Sequence, residues 1–154
     1  MKSEPEVFGI DHLARAPRQT AGWDGVRNYQ ARNMLRDDFR AKDRAFFHHS
    51  SCEEPGIYGT MEVVRAGYPD PAQFDRKSKY YDPGSDPADP RWYQVDVRLV
   101  NKFARPVTLG MLREHASGPL ANLLVLRRGN RLSVMPVTAG EWKFIHRLAR
   151  DVTR

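Results

Sequence analysis

The most diagnostic segment of this 154-residue chain is residues 22–32, which read Gly-Trp-Asp-Gly-Val-Arg-Asn-Tyr-Gln-Ala-Arg. The two glycines enclose Trp23 in a turn, because glycine tolerates backbone angles that other residues avoid. Beyond the turn, apolar residues recur every three to four positions, which predicts a helix over residues 26–38. We expect one face of this helix to pack on a core and another face to stay polar and basic.

Three segments that follow this helix have the pattern of β-strands. Residues 45–48 are short and aromatic, whereas residues 57–65 and 94–100 alternate apolar and polar side chains, as half-buried strands do. The stretch between the two longer strands, residues 67–91, is rich in Asp-Pro steps. A loop of that length is usually functional or disordered, and the tyrosines within it argue against plain disorder.

Helices are expected on both sides of these strands. Asp11 can cap a short helix through residue 16, and a second helix is expected over residues 106–114. Residues 131–137 are predicted to form a short strand. Thr138 and Glu141 have the spacing of a capping box, which predicts a final helix to about Arg150. Strands mixed with short helices, without regular alternation, predict the α+β class, with a curved sheet or barrel and helices packed around it.

The composition is that of one globular domain spanning residues 1–154, with 40% hydrophobic and 29% charged residues. The longest apolar run is too short to cross a bilayer, and the first residues lack the apolar stretch of a signal peptide, so neither a membrane partner nor secretion is expected. Cys52 is the only cysteine. No disulfide framework can form, which fits a reducing cytoplasm or nucleus, and we predict a cytoplasmic location.

The positive charge is concentrated in the last third of the chain. The net charge is +6 overall, and residues 98–154 carry +8 while residues 1–66 are neutral and residues 67–97 carry −2. Such a distribution is expected if one face meets phosphate groups. A basic surface that is merely solvated remains the alternative.

Seven short motifs together resemble one known family. They occupy residues 2–5 (Lys-Ser-Glu-Pro), 22–32, 46–50, 56–59, 77–81, 92–97 and 131–137. The chain resembles the EVE domains of the PUA-like superfamily, which are related to YTH and ASCH domains. The resemblance implies a PUA-like curved β-barrel with short helices packed around it. Family members usually carry a hydrophobic strand segment ahead of the first motif, so the first strand is expected to be truncated.

The resemblance also implies a function: a base, and in this family a 5-substituted cytosine in DNA, is held in a pocket with aromatic walls. Single-stranded or flipped DNA is expected as the partner, with RNA as an open possibility and no cofactor or metal. A base of this kind needs flat π surface, a few hydrogen-bond partners and positive charge for the backbone. The residues assigned to the base are Ser3, Trp23, Asn28, Ser50, Tyr80 and Trp92.

Each assignment to the base has a structural alternative. Trp23 lies in a glycine-flanked turn where an indole is easy to present, yet it can also be a core residue that anchors the helix. Trp92 adjoins a strand and can likewise be core. Asn28 offers both a donor and an acceptor for a base edge, but it is also placed to cap the helix. Ser3 and Ser50 resemble positions at the rim of the YTH-type pocket.

Seven basic residues are assigned to the DNA backbone. They are Lys2, Arg32, Lys77, Lys79, Arg127, Arg128 and Arg131. The last three form a dense basic turn around Gly129, for which a solvated turn is the alternative.

Two other function classes are weighed against a base-binding module. An ASCH-like nuclease or base-processing enzyme would use Lys2, His49 or a nearby carboxylate, and the run from His48 to Cys52 invites a catalytic interpretation. Adjacent histidines on a strand point to opposite faces, however, and one cysteine with scattered histidines has no metal-ligand spacing. No convincing catalytic group emerges, so no enzyme activity is expected. A protein-interaction scaffold would instead show a broad apolar patch.

Overall fold

A five-stranded mixed sheet organises the protein in the computed structural model, which describes residues 1–151. The strands are β1 (Lys2–Ser3), β2 (Thr20–Gly22), β3 (Arg44–His49), β4 (Gly56–Pro69) and β5 (Tyr93–Thr108). Their order across the sheet is β1-β3-β4-β5-β2. β1 runs parallel to β3, and the other neighbouring pairs are antiparallel.

Within residues 1–151, five α-helices flank the sheet. They are α1 (Pro5–Phe8), α2 (Ile10–Arg15), α3 (Tyr29–Asp37), α4 (Leu109–Arg113) and α5 (Ala139–Asp151). Short 3₁₀ turns cover Pro17–Gln19, Pro71–Phe74 and Leu124–Leu126. The predicted α+β class is confirmed.

The sheet does not close into the predicted barrel. The edge strands β1 and β2 have two and three residues, and among the described residues they pair only with β3 and β5. The register between β4 and β5 shifts at several points along their length, and bulges of this kind bend and twist a sheet. The result is a strongly curved sheet with two open edges.

The described part of the chain forms two hydrophobic cores on opposite faces of the sheet. Phe47 belongs to the core under α2 and α3, whereas its neighbour Phe46 belongs to the core under α4 and α5. Successive side chains of a strand point to opposite faces, so one strand supplies both cores. The short aromatic strand predicted over residues 45–48 lies within β3, and it is buried on both faces of the sheet.

Several predicted element boundaries need correction. α3 begins at Tyr29 rather than at residue 26, because Asn28 is its N-cap. β5 continues to Thr108, so the helix predicted from residue 106 begins only at Leu109, with Thr108 as its N-cap. The predicted strand over residues 131–137 is wrong, since no strand forms there. The segment has a ladder-like contact where the Lys2 N–H donates to the Ser133 carbonyl at 2.7 Å.

The capping box of the last helix is confirmed. The Thr138 N–H donates to Glu141 Oε1 at 2.8 Å, and the Glu141 N–H donates to Thr138 Oγ1 at 3.1 Å. These reciprocal bonds satisfy backbone N–H donors that a helix start leaves free. The three-position spacing of Thr138 and Glu141 therefore sets where α5 begins.

Candidate functional site

Asp70 joins the turn before α3 to the long segment that follows β4. Its side chain is 0% exposed. One carboxylate oxygen, Oδ2, accepts bonds from the Gly25 N–H and from Arg27 Nη1, both at 2.9 Å. The other, Oδ1, accepts from the Ala72 N–H at 2.8 Å. Two segments that are far apart in the sequence therefore meet on a single buried carboxylate.

Gly25 allows the two segments to approach closely. Its φ is +76°, and a Cβ at this position would lie 2.5 Å from Cζ of Tyr80. Only glycine takes this backbone conformation without strain and leaves room for the tyrosine ring. The ring of Tyr80 consequently rests directly on the backbone of the turn.

Arg27 lies between two aromatic rings of the long segment. Its guanidinium is 5.4 Å from the ring centre of Tyr80 and 5.2 Å from that of Trp92, and Nη2 donates to the Tyr80 carbonyl at 2.9 Å. Trp92 in turn stacks on Tyr29 at 4.9 Å with an interplanar angle of 23°. The guanidinium of Arg32 lies 4.9 Å from the Tyr29 ring. We call these five residues the stacking column.

The long segment is ordered by buried polar contacts. Gln73 Nε2 donates to the carbonyls of Asp70 and Trp92, both at 2.8 Å, while its Oε1 accepts from Ser85 Oγ at 2.6 Å and from the Trp92 N–H at 3.1 Å. The Trp92 indole donates to Asp82 Oδ2 at 2.7 Å, which is the main reason that the pKa of Asp82 is lowered. These bonds hold the long segment in a defined position.

The electrostatics of the turn are set by burial. The pKa of Asp24 is raised, first because the carboxyl is desolvated and second because the Asp70 carboxylate is close. Lys77 and Lys79 are exposed on the long segment, and Lys79 Nζ lies 5.0 Å from the Tyr80 ring centre. Exposed positive charge therefore lies beside the stacking column.

Trp23 is buried, in contrast to the predicted indole that is presented to a ligand. It is 5% exposed, and its ring packs edge-on against Phe47 at 5.1 Å and against Phe8 at 6.2 Å. The Trp23 N–H donates to the Val95 carbonyl at 2.8 Å, so the residue continues the pairing of β2 with β5. Strand alternation then turns the indole into the core.

The structural alternatives also hold for Asn28 and Trp92. Asn28 Oδ1 caps α3 by accepting the Ala31 N–H at 3.0 Å, and Trp92 is 7% exposed. Tyr80 is half-buried. A role of these three side chains at a base stays a prediction.

The two predicted rim serines lie together. The Ser50 N–H donates to the Ser3 carbonyl at 3.0 Å, and Ser3 Oγ donates to the Phe8 carbonyl at 2.7 Å. The Phe8 ring also contacts Trp23, so Phe8 links the serines to the indole. A role of Ser3 and Ser50 at a base stays a prediction.

The residues predicted to bind phosphate differ in how free they are. Lys77, Lys79, Arg127, Arg128 and Arg131 are exposed. The guanidinium of Arg32, in contrast, donates to the Arg91 carbonyl at 2.6 Å and to Asn33 Oδ1 at 2.8 Å. Lys2 is half-buried and lines a cavity. Contact of these side chains with phosphate stays a prediction.

That cavity has a volume of about 590 Å³ and lies along β3, between the end of α3, residues 134–137 and α5. Most of its lining is apolar, and it includes the stacked rings of Phe46 and Trp142, whose centres are 4.1 Å apart. Of the residues assigned from the sequence, only Lys2 lines it. Its position therefore differs from the neighbourhood of Trp23 and Tyr80.

His48 and His49 face opposite sides of β3, as the strand period predicts. His49 Nε2 accepts the Ile10 N–H at 3.0 Å, and its ring stacks on Tyr58 at 4.0 Å. His48 lines the cavity instead, and both of its ring nitrogens are buried without a hydrogen-bond partner among the residues that the structure describes. Across residues 1–151, no group of three or more His, Cys, Asp or Glu side chains could hold a metal ion.

The buried His48 should make folding sensitive to acid. Burial, helped by the positive charges of the N-terminal amine and Lys2, lowers its pKa from 6.5 to about 3. The native state therefore binds fewer protons than the unfolded chain, and stability falls as the pH drops from about 6.5 towards 3, by up to about 1.4 kcal/mol per pH unit. Urea denaturation between pH 7 and pH 4 should show this slope in the parent and a flatter one in His48→Leu; equal slopes would contradict the assignment.

One known protein family matches almost the whole chain. The model of the EVE domain family matches residues 1–148. The chain belongs to the EVE domain family. None of the helices described for this EVE domain is long and apolar enough to pass through a bilayer.

Similar proteins are known from animals and bacteria. Mouse thymocyte nuclear protein 1 is 44% identical over 94% of this EVE domain and 70% of its own length. The crystal structure of the human THYN1 protein in complex with 5-methylcytosine-containing DNA is 43% identical, with a TM-score of 0.91 over 97% of this chain and 95% of that one. A crystal structure from Pseudomonas putida is 46% identical, with a TM-score of 0.91 over 97% of both chains.

Three residues that organise the site in this EVE domain were missed by the sequence analysis. Arg27, Tyr29 and Asp70 carry most of the contacts between the turn and the long segment. Arg27 and Tyr29 lie inside the diagnostic segment, next to residues that were assigned, and this proximity is the one signal available. For Asp70 there was none, because its partners in the turn, Gly25 and Arg27, are more than forty positions away.

Proposed function

We propose that this EVE domain binds DNA that carries a modified base, and that the preferred base is a 5-substituted cytosine. The observation that carries the proposal is the human THYN1 protein, which was crystallised with 5-methylcytosine-containing DNA and shares 43% identity and a TM-score of 0.91 with this chain. Relatives at this level of identity over nearly the full chain commonly keep the same ligand class.

The chemistry of the described residues supports DNA as the partner. The stacking column offers π surface and guanidinium planes, and base stacking on aromatic side chains is a general means of holding unpaired bases. The exposed lysines of the long segment and the basic turn at residues 127–131 provide positive charge for the backbone. We place the base near Trp23, Tyr80, Ser3 and Ser50, with Asn28 and Trp92 beside it. Because Trp23 is buried, this placement requires residues around the turn to adjust on binding.

We propose binding without catalysis, and the human THYN1 protein, which was crystallised in complex with 5-methylcytosine-containing DNA, supports this proposal. The predicted cytoplasmic location stays a prediction, and the animal relatives are nuclear proteins by name.

The preference for a modified base is tested by fluorescence anisotropy with matched oligonucleotides. The set contains one cytosine or one 5-methylcytosine, in single-stranded DNA, duplex DNA and RNA. We expect the methylated DNA to bind at least about tenfold more tightly, because one methyl group in an apolar pocket is worth that much. Equal affinities would show that the protein does not distinguish the modified base. Tighter binding to RNA would show that DNA is the wrong polymer. A change in the mass of the bound oligonucleotide would favour an enzyme.

The predicted phosphate track is tested by salt dependence. Replacing Arg127, Arg128 and Arg131 together by glutamine should weaken binding and flatten the plot of log K against log salt by about 0.9 for each lost duplex phosphate contact. The control replaces three exposed arginines elsewhere, at positions 105, 113 and 147, with the same loss of charge. An equal flattening in both variants would assign the effect to net charge and leave the basic turn without a specific contact.

A further inference from the structure

Tyr29 is an exposed aromatic residue that none of the assignments above explains. It is the first residue of α3, and at 53% it is the most exposed of the large hydrophobic side chains described. The other exposed ones, at positions 7, 100 and 137, are aliphatic and lie on α1, on β5 and ahead of α5. Its described ring neighbours are instead Trp92 and Arg32.

The Tyr29 ring is held in place before any ligand binds. Trp92 stacks against it, and Trp92 is itself fixed by bonds to Asp82 and Gln73. Arg32 lies over the ring and is tied to the Arg91 carbonyl at 2.6 Å. An aromatic side chain ordered in this way loses little conformational freedom on binding, which favours affinity.

We propose that Tyr29, together with the guanidinium of Arg32, forms a stacking surface for a nucleobase that neighbours the recognised one. The inference rests on the proposed binding of DNA. Tyr29 and Tyr80 belong to the same stacking column, in which Arg27 and Trp92 lie between them. In this proposal, a strand whose modified base lies near Tyr80 continues along the column to Tyr29. A ring flanked by arginine suits a π-faced ligand attached to phosphate, because the cation supports both the stack and the backbone.

This assignment changes the role of Arg32. Two of its guanidinium nitrogens already donate to the Arg91 carbonyl and Asn33, so it has fewer donors left for a phosphate than an exposed arginine. Its planar guanidinium group stacks on the Tyr29 ring. The structure therefore favours stacking over phosphate contact for this side chain.

The experiment compares Tyr29→Ala, Tyr29→Phe and Tyr29→Leu for binding to single-stranded oligonucleotides with one 5-methylcytosine or one cytosine. Alanine is expected to weaken binding to both by between about fivefold and about a hundredfold, the range for one stacked base. Phenylalanine, which keeps the ring, should retain affinity. Leucine covers Trp92 but has no π face, so it should behave like alanine. The ratio between the two oligonucleotides should not change, because the neighbouring base is unmodified. Val100→Ala, at an exposed residue on β5, is the control and should bind as the parent does.

The outcomes separate this inference from the proposed function. Full affinity in Tyr29→Ala or in Tyr29→Leu overturns the stacking surface, even if the parent prefers 5-methylcytosine. Loss of affinity in both variants without any preference in the parent keeps the stacking surface and overturns the modified-base proposal. A parent that binds neither oligonucleotide overturns both. Melting temperatures measured in parallel should stay close to that of the parent, and a large fall in all three variants would show a structural role instead.

Discussion

Replacing Asp70 by alanine is expected to lower the free energy of unfolding by about 3–5 kcal/mol, the usual cost of breaking a buried ion pair by removing one partner. The carboxylate is fully buried and receives Arg27 together with the backbone N–H groups of Gly25 and Ala72. The substitution leaves these donors without an acceptor. Arg27 is partly exposed, so water can recover some of the loss, and we expect the lower end of this range. Urea denaturation measures the change.

The same substitution should release the long segment. Arg27 is positioned by Asp70 and in turn holds the Tyr80 carbonyl and the rings of Tyr80 and Trp92. Trypsin is therefore expected to cut after Lys77 and Lys79 faster in the variant than in the parent under native conditions. Asp37→Asn is the control, since Asp37 forms an exposed pair with its neighbour Arg36 and such pairs contribute little. Equal cleavage rates in all three proteins would show that the ion pair does not hold the segment.

Replacing Trp23 by alanine is expected to cost about 3–5 kcal/mol of stability, as truncation of a large buried aromatic residue does. The indole is 5% exposed and lies against Phe8 and Phe47, so its removal leaves a cavity in the core. Thermal denaturation is the measurement. A change of less than about 1 kcal/mol would mean that the ring contributes little packing, and would restore the prediction of an indole presented to a ligand.

A second substitution separates packing from base binding at this position. Trp23→Phe keeps an aromatic ring in the core and should fold with a smaller loss of stability. If Trp23 contacts the base on binding, this variant should bind 5-methylcytosine DNA more weakly than the parent at a temperature where both are folded. Unchanged affinity would restrict Trp23 to the core and leave Tyr80 as the remaining candidate wall.

The parts of the fold that depend on neighbouring residues were predictable. The capping box at Thr138 and Glu141 marks the start of α5 because its bonds join residues three positions apart. The alternation of residues 94–100 predicts a strand because the period of side chains in a strand is local. The pattern of strands and helices left a curved sheet or a barrel open, and the resemblance to the family favoured the barrel. Closure depends on where the edges of the curved sheet end, which no local pattern contains.

The candidate site divides in the same way. Trp23, Tyr80 and Trp92 could be named from the sequence, but whether each is exposed could not. For Trp23 the answer depends on Val95, more than seventy positions away, whose carbonyl turns the residue inward. The glycines on both sides of Trp23 favour a turn that presents the indole, but the pairing of β2 with β5 overrides this local preference.

By itself, the sequence determined the α+β class, the family, the start of the last helix and the concentration of positive charge in the last third of the chain. These follow from residue types, short spacings and motifs that lie within a few positions of each other. Only the tertiary structure decided the burial of Trp23, the ion pair between Arg27 and Asp70, and the exposure of the Tyr29 ring that stacks on Trp92. Each of these depends on segments that the sheet topology brings together, and a pairing between distant residues leaves no periodic trace along the chain.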